Sequence, residues 1–256
     1  MTLPPAGYAG IYDILYGDRA ALDVQITFLQ RVLANSEPPF LDAGCGVGRH
    51  LLPLGAAGCA MVGLDIDPAM LTVARSRLAE AGIGARLVQG DLRWLPFDAA
   101  FGAILCLDSP LALLLAEADL AAALASFRRS LRPGGVLAAE VYDYVGTLPY
   151  VASAGQTGLH FPSIRFPTAW GSVDVRERHR FDQAAGIWEM TQEFVVRRRG
   201  QRQEFSASHA LRIRPTEVYT AGLEAAGFRI LEFWQAYSGV QPRQGDERRL
   251  IFVAQA

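Results

Sequence analysis

Up to about residue 140, short runs that are apolar almost throughout alternate with stretches whose apolar positions recur every three or four residues. The short runs are Pro39 to Gly44, Ala60 to Ile66, Ala85 to Asp91, Phe101 to Asp108 and Gly135 to Asp143. Continuous apolar character, without alternation, is the mark of strands covered on both faces of a parallel sheet. Helical stretches lie between them. Pro68 suits a first turn, Met70, Leu71, Ala74 and Leu78 keep one stripe, and Gly82 ends it. A second helix is expected from Glu117 to Leu131, with Arg132-Pro133-Gly134-Gly135 as a breaker. This alternation predicts right-handed crossovers and a doubly wound, mostly parallel α/β sheet, whose ligands bind at the carboxyl ends of the strands.

Beyond Tyr144 the pattern changes. Residues Val145 to Gly171 are rich in Gly, Pro and Ser and carry Tyr150, Phe161, Phe166 and Trp170, so they read as a partly ordered loop. Three alternating segments follow, with turn signals at Ala185-Gly186 and Gly200, and predict an antiparallel meander. Pro215 to Ala226, stopped by Gly227, reads as a helix, and FRILEFWQAY and RRLIFVAQA as a closing strand pair. The expected division is a core with an N-terminal helical cap over 1–143, a lid loop and antiparallel insert over 144–214, and a helix with two strands over 215–256 that completes the core sheet.

Composition narrows the function classes. The 256 residues are 51% hydrophobic and 20% charged, the balance of a soluble globular protein, and a net charge of -2 gives no reason to expect a polyanion as partner. Cys45, Cys59 and Cys106 form no C-x-x-C pair and read as small buried residues in a reducing compartment. The first residues show neither a basic n-region nor an apolar h-region, and no stretch has the length and apolarity of a membrane span. The expectation is a cytoplasmic protein with no membrane and no nucleic-acid partner. A homodimer is compatible with the sequence.

The chemistry concentrates at three strand ends. The first strand runs into Asp42-Ala43-Gly44-Cys45-Gly46-Val47-Gly48, a loop that opens a helix. Its glycines permit a sharp turn and close approach of a ligand, and free N–H groups at the helix start favour an anionic group. Alone, such a loop is a weak signal for a nucleotide-like ligand. The second strand ends in Asp65, placed to take both hydroxyls of a ribose, and the third in Gly90-Asp91-Leu92. Three consecutive strands each deliver a carboxylate to one cleft, and three such acids with neither ligand nor partner would be costly to bury.

At this point the sequence resembles a known family. FLDAGCGVGRH, VGLDID, VQGDLRWLPF and LRPGGVLAAE are similar to successive signature segments of class I S-adenosylmethionine-dependent methyltransferases, densely over Phe40 to Val141. The resemblance implies a seven-stranded sheet, S-adenosylmethionine as cofactor and methyl transfer to a small molecule. It places the methionine part of the cofactor at Asp42 and the Gly44/Gly46 loop, and the ribose at Asp65. Ile66 and Met70 would pack near the adenine, Asp91 would accept from its amino group beside Leu92, and Leu107 would lie under the sulfonium end. A nicotinamide dinucleotide is the competing ligand. Against it stand the G-x-G-x-G spacing, the acid two residues ahead, and the lack of a second nucleotide half. The position of the insert is similar to that in sugar and glycine-type N-methyltransferases, which implies that it covers the active-site cleft with Tyr150 to Trp170 as lid.

Other residues keep two readings. Tyr8, Tyr12 and Tyr16 form one helical stripe, either packed on the core or, as the resemblance implies for Tyr12-Asp13, capping the cofactor. His160 and His209 are structural by default and are the candidates for a base; His50 and His179 read as structural or solvated. Tyr16, Asp108, Tyr142 and Trp170 are the candidates for acceptor binding. No H-E-x-x-H or similar cluster suggests a metal. Leu107-Asp108-Ser109-Pro110-Leu111 lacks the second proline and the aromatic of methyltransferases acting on nucleobase amino groups, where a flipped base would stack. No strong base stands out, which favours nitrogen over oxygen as acceptor. Two rivals remain: an RNA methyltransferase using Arg176, Arg178 and Arg197 to Arg199, and a cofactor-binding module without turnover.

Overall fold

The computed structural model describes residues 7–17, 19–142, 158–198, 200–234 and 249–256. Two compact units emerge. One takes in residues 18–143 and 214–256, the other residues 1–17 and 144–213.

The larger unit holds a seven-stranded sheet. Its strands are β1 (Phe40–Ala43), β2 (Met61–Asp65), β3 (Arg86–Gln89), β4 (Phe101–Cys106), β5 (Leu131–Tyr142), β11 (Arg229–Trp234) and β12 (Arg249–Gln255). The order is β11-β12-β5-β4-β1-β2-β3, with β12 antiparallel to both its neighbours and the strands from β3 to β5 parallel. Helices α2 (Arg19–Leu33), α3 (Leu51–Ala56), α4 (Pro68–Glu80), α5 (Glu117–Ser130) and α6 (Thr216–Ala225) complete this unit. Alternate residues feed two cores. Leu41, Leu64 and Ile104 pack with Leu124, Phe127 and Tyr219 of α5 and α6, while Phe40, Met61, Ala103 and Leu105 pack with Leu29, Leu54 and Leu78 of α2, α3 and α4. The sheet is therefore wound on both faces. The two edge strands, β3 and β11, lack a buried residue, which for β3 goes against the expectation of cover on both faces.

One expected break is absent. Strand β5 starts at Leu131, directly after α5, so Pro133-Gly134-Gly135 lie inside it. The surplus residues are taken up as a bulge: Phe101 pairs with Leu131 but Ala103 with Val136, and Gly134 carries the left-handed φ of +77°. A breaker sequence ends the helix here without ending the strand.

The smaller unit contains α1 (Tyr8–Tyr16) and β6 (Leu159–His160), β7 (Ile164–Thr168), β8 (Gly171–Asp182), β9 (Ile187–Arg198) and β10 (Gln201–Arg212). The meander β8-β9-β10 is antiparallel in continuous register, with Gly186 and Gly200 left-handed at its turns. The stretch read as loop, 145–171, holds β6 and β7, both paired with β8; Tyr150 lies outside the described residues. Helix α1, grouped by sequence with the core, belongs to this unit because Ile11, Ile14 and Leu15 pack on Val173, Val175, Phe194 and Val196. No described helix is long and apolar enough to cross a membrane.

Candidate active site

In the larger unit the three acids sit at the carboxyl ends of β1, β2 and β3: Asp42 is the last residue but one of β1, Asp65 closes β2, and Asp91 follows β3 by two residues. After β1 the chain turns through Gly44, Gly46 and Gly48, with φ of +87°, +51° and +79°. Such angles strain any residue with a Cβ. A Cβ at Gly44 would also meet Pro110 Cγ at 2.8 Å, whereas one at Gly46 would meet nothing within 4 Å. Gly44 is therefore needed for packing, and Gly46 leaves open space. The amides of Gly44 and Cys45 donate to the Leu64 carbonyl at 2.7 and 2.9 Å, which fixes the loop on β2.

Asp65 ends β2 and joins the two turns. Its carboxylate accepts from the Gly46 amide at 2.8 Å and the Asp67 amide at 2.9 Å. Burial raises its pKa and these two amides oppose the rise. Asp67 in turn caps α4, accepting from Ala69 at 2.8 Å with Pro68 next in the first turn. Ile66 is 63% exposed beside it, and Met70 is half-buried.

Asp91 follows β3 and is engaged by Arg93, which donates from Nη2 at 2.7 Å and reaches Asp119 at 2.9 Å. The hydrogen bonds from Arg93 hold the Asp91 carboxyl below its usual range. Leu92 is half-buried, and Trp94, one turn on, is 68% exposed. Sequence reasoning passed over Trp94, although an aromatic three residues after Asp91 was the signal.

Asp42 is the outlier. It is 1% exposed, and its Oδ2 has no hydrogen-bond partner among the described residues. Burial first, then the charges of Asp108 and Asp65, pushes its carboxyl up to about 8. A buried acid so raised is a place where an incoming positive charge is favoured.

The ends of β4 and β5 carry a denser charge network. Leu107 is buried, and after it Asp108 and Ser109 both sit in the left-handed region, φ +60° and +66°. Two consecutive non-glycine residues there persist only where the surroundings hold them. Arg249, opening β12, donates to Asp108 at 3.0 Å and to Glu140, and its guanidinium lies 4.7 Å over the Tyr142 ring. Arg49 is 3.5 Å from Asp108 on another side. The Ser109 hydroxyl accepts from the Tyr142 amide at 2.7 Å, binding β4 to β5. Burial acts to raise Asp108, but the positive charges of His50 (when protonated), Arg249 and Arg49 outweigh it and keep the carboxyl ionised. Tyr142 is pushed up to about 12, mainly by burial. His50, read as structural or solvated, is the former: it is buried, meets Gln25 at 3.3 Å, and burial lowers its pKa to about 4. No spacing in the sequence announced Arg49, Glu140 or Arg249.

The remaining candidates lie in the smaller unit. Tyr12 and Tyr16 are on α1, with ring centroids 4.9 Å apart. His209 is half-buried on β10, its Nε2 without a partner among the described residues, while His160 is exposed on β6. Trp170 is half-buried under the Arg198 guanidinium, 4.5 Å from its ring.

Comparison with known proteins agrees with this arrangement. A model of a methyltransferase domain matches residues 40–135. The dTDP-3-amino-3,4,6-trideoxy-α-D-glucopyranose N,N-dimethyltransferase of Streptomyces venezuelae is 29% identical over 236 residues, 87% of this chain and 90% of its own. Among solved structures, Streptomyces venezuelae DesVI superposes with a TM-score of 0.77 at 26% identity, covering 98% of both chains. CalS10 of Micromonospora echinaspora, an amino pentose methyltransferase solved with S-adenosylmethionine bound, gives 0.69 at 25%, again over 98% of both. The glycine loop, the acids at the ends of three neighbouring strands, the methyltransferase domain and these likenesses together make the chain an S-adenosylmethionine-dependent methyltransferase.

Proposed function

We propose that the chain methylates the amino nitrogen of a nucleotide-linked amino sugar. What carries the cofactor half of this reading is the placement of Asp42, Asp65 and Asp91 at the ends of three neighbouring strands. We assign Asp42 and the Gly44/Gly46 turn to the methionine part of the cofactor, and Asp65 to the ribose. Asp91, Leu92, Ile66 and Met70 are assigned to the adenine and Leu107 to the sulfonium end. The residues fit: Asp42 Oδ2 has no hydrogen-bond partner among the described residues, and the space over Gly46 is open. S-adenosylmethionine supplies a methyl group already activated by the sulfonium charge. What remains for the protein is to align the acceptor lone pair with the methyl carbon and to keep water out.

The acceptor half rests on chemistry and on relatives. An amine attacks as its neutral form and needs no strong base; at the ends of β4 and β5, Asp108 is held ionised and His50 is a weak base. We assign Asp108 and Tyr142 to acceptor binding. A relative that matches over most of both chains is the N,N-dimethyltransferase of a dTDP-linked 3-amino sugar. The RNA alternative is disfavoured by charge pairing. Arg176 and Arg178 face Glu193 at 3.6 and 3.7 Å, Arg180 faces Glu189 at 2.6 Å, and Arg197 pairs with Asp174. Such cross-strand pairs leave little net positive charge for phosphates.

The test uses methyl-labelled S-adenosylmethionine with dTDP-3-amino-3,4,6-trideoxyglucose, its 3-hydroxy counterpart, and total tRNA as separate acceptors. Label on the amino sugar alone is the expected result. Label on tRNA would replace this reading with the nucleic-acid one, and label on the hydroxy sugar would move the acceptor from nitrogen to oxygen.

A further inference from the structure

The smaller unit carries a polar cluster that the cofactor assignment leaves unused. Along β8, Val173, Val175, Glu177 and His179 share one face. Opposite them on β9 stand Val196, Phe194, Gln192 and Met190, and beyond these on β10 Phe205, Ala207 and His209. The first half of this face is apolar and closed by Ile11 of α1. At Glu177, Gln192 and His209 it turns polar, beside the tyrosine stripe of α1.

Gln192 is 1% exposed, and burying an amide is costly unless its hydrogen bonds are met. Its Nε2 donates to Glu177 Oε1 at 2.6 Å and to the Tyr16 hydroxyl oxygen at 3.1 Å, and the Tyr8 hydroxyl is 3.4 Å from that of Tyr16. The Tyr8 and Tyr12 rings are 5.8 Å apart, and Tyr8 lies 5.1 Å from His209. Glu177 is 3.3 Å from His179, and this bond keeps its carboxyl below the usual range. The Glu177 side chain is nonetheless 32% exposed. His209, its pKa lowered by burial, offers an Nε2 with no partner among the described residues.

An ionised, accessible carboxylate amid three phenol rings and an imidazole nitrogen without a partner suits an amine: charge for the ammonium form, ring faces for a cation, and a lone pair for N–H. Arg176, Arg178 and Arg180 alternate onto the other side of β8, and Arg198, which shares this face, lies at its apolar end with its guanidinium over Trp170, three same-face β9 pairs away from Gln192.

We infer that Tyr8, Tyr12, Tyr16, Glu177, Gln192 and His209 form a recognition site for the amino group of the methyl acceptor. Glu177 is the anion that receives it, and Gln192 positions the Tyr16 hydroxyl. The inference rests on the amino-sugar reading and goes beyond it, since it assigns selectivity for amine over hydroxyl to one carboxylate. The experiment measures binding of dTDP-3-amino-3,4,6-trideoxyglucose and of its 3-hydroxy counterpart by titration calorimetry, with the full chain saturated by S-adenosylhomocysteine. Wild type is expected to prefer the amine by about tenfold or more, the usual worth of a hydrogen bond to a charged group. Glu177→Gln, which preserves shape, should bring the preference to within about twofold, and Glu177→Asp should restore part of it. A ratio is insensitive to partial unfolding, which weakens both ligands alike. A Glu177→Gln protein that keeps the wild-type preference overturns the site and leaves the amino-sugar reading intact. A wild type that binds the two sugars equally, or neither, overturns both.

Discussion

Asp42 is a carboxyl whose Oδ2 has no hydrogen bond among the described residues, in a position that water scarcely reaches. Its pKa near 8, against 3.8 when unfolded, means that the folded chain binds an extra proton between about pH 4 and pH 8. Stability must therefore fall as pH rises through that window, by up to about 1.4 kcal/mol per unit. Asp42→Asn removes this loss. In the absence of cofactor, its melting temperature is expected to exceed that of wild type by a margin that grows from pH 5 to pH 8. A margin constant across that range would mean that Asp42 does not titrate there. The same variant should bind S-adenosylhomocysteine at least about tenfold more weakly, the trade between stability and function common at binding sites. This acid was legible in sequence because D-x-G-x-G-x-G is local, and so were Asp65, which closes β2, and Asp91, which follows β3. The network of Arg49, Asp108, Glu140 and Arg249 was not, since it is assembled from four elements and no spacing relates them.

Among the elements, α5 shows what pattern can and cannot deliver. Its extent was readable from composition and from the Pro-Gly-Gly that follows, yet that tripeptide became a bulge in β5, because pairing with β4 satisfies the backbone on both sides of it. At the other end of α5, Arg214 is buried, donating to Glu117 at 3.0 Å and to the carbonyls of Leu114 and Ala116 at 2.7 and 3.2 Å. Glu117 is half-exposed, so the ion pair is worth little and the carbonyl bonds most. Arg214→Met keeps the bulk and strands the Leu114 carbonyl, while that of Ala116 still accepts from the Asp119 and Leu120 amides. It should cost about 1–3 kcal/mol and lower the melting temperature by about 2–4 °C for each kcal/mol. Glu117→Gln should cost under about 1 kcal/mol. Equal losses in scanning calorimetry would contradict this division.

In the whole molecule, the mostly parallel sheet was foreseeable from strand and helix alternation, and the meander from its turns. The company kept by α1 was not. An apolar stripe shows that a helix is covered but not by what, and Ile11 finds Val173 and Phe194 far along the chain. Two stretches separated by most of the first hundred and forty residues thus share one hydrophobic core, and neither can complete it alone. For recombination between related enzymes this makes residues 1–17 and 144–213 a single cassette. A hybrid that exchanges only 144–213 with a relative inherits mismatched halves of that core and should melt well below both parents. Exchanging the first seventeen residues with it should recover most of the loss. Equal stability of the two hybrids would show that the halves are interchangeable; otherwise natural shuffling in this lineage has had to carry the two stretches together.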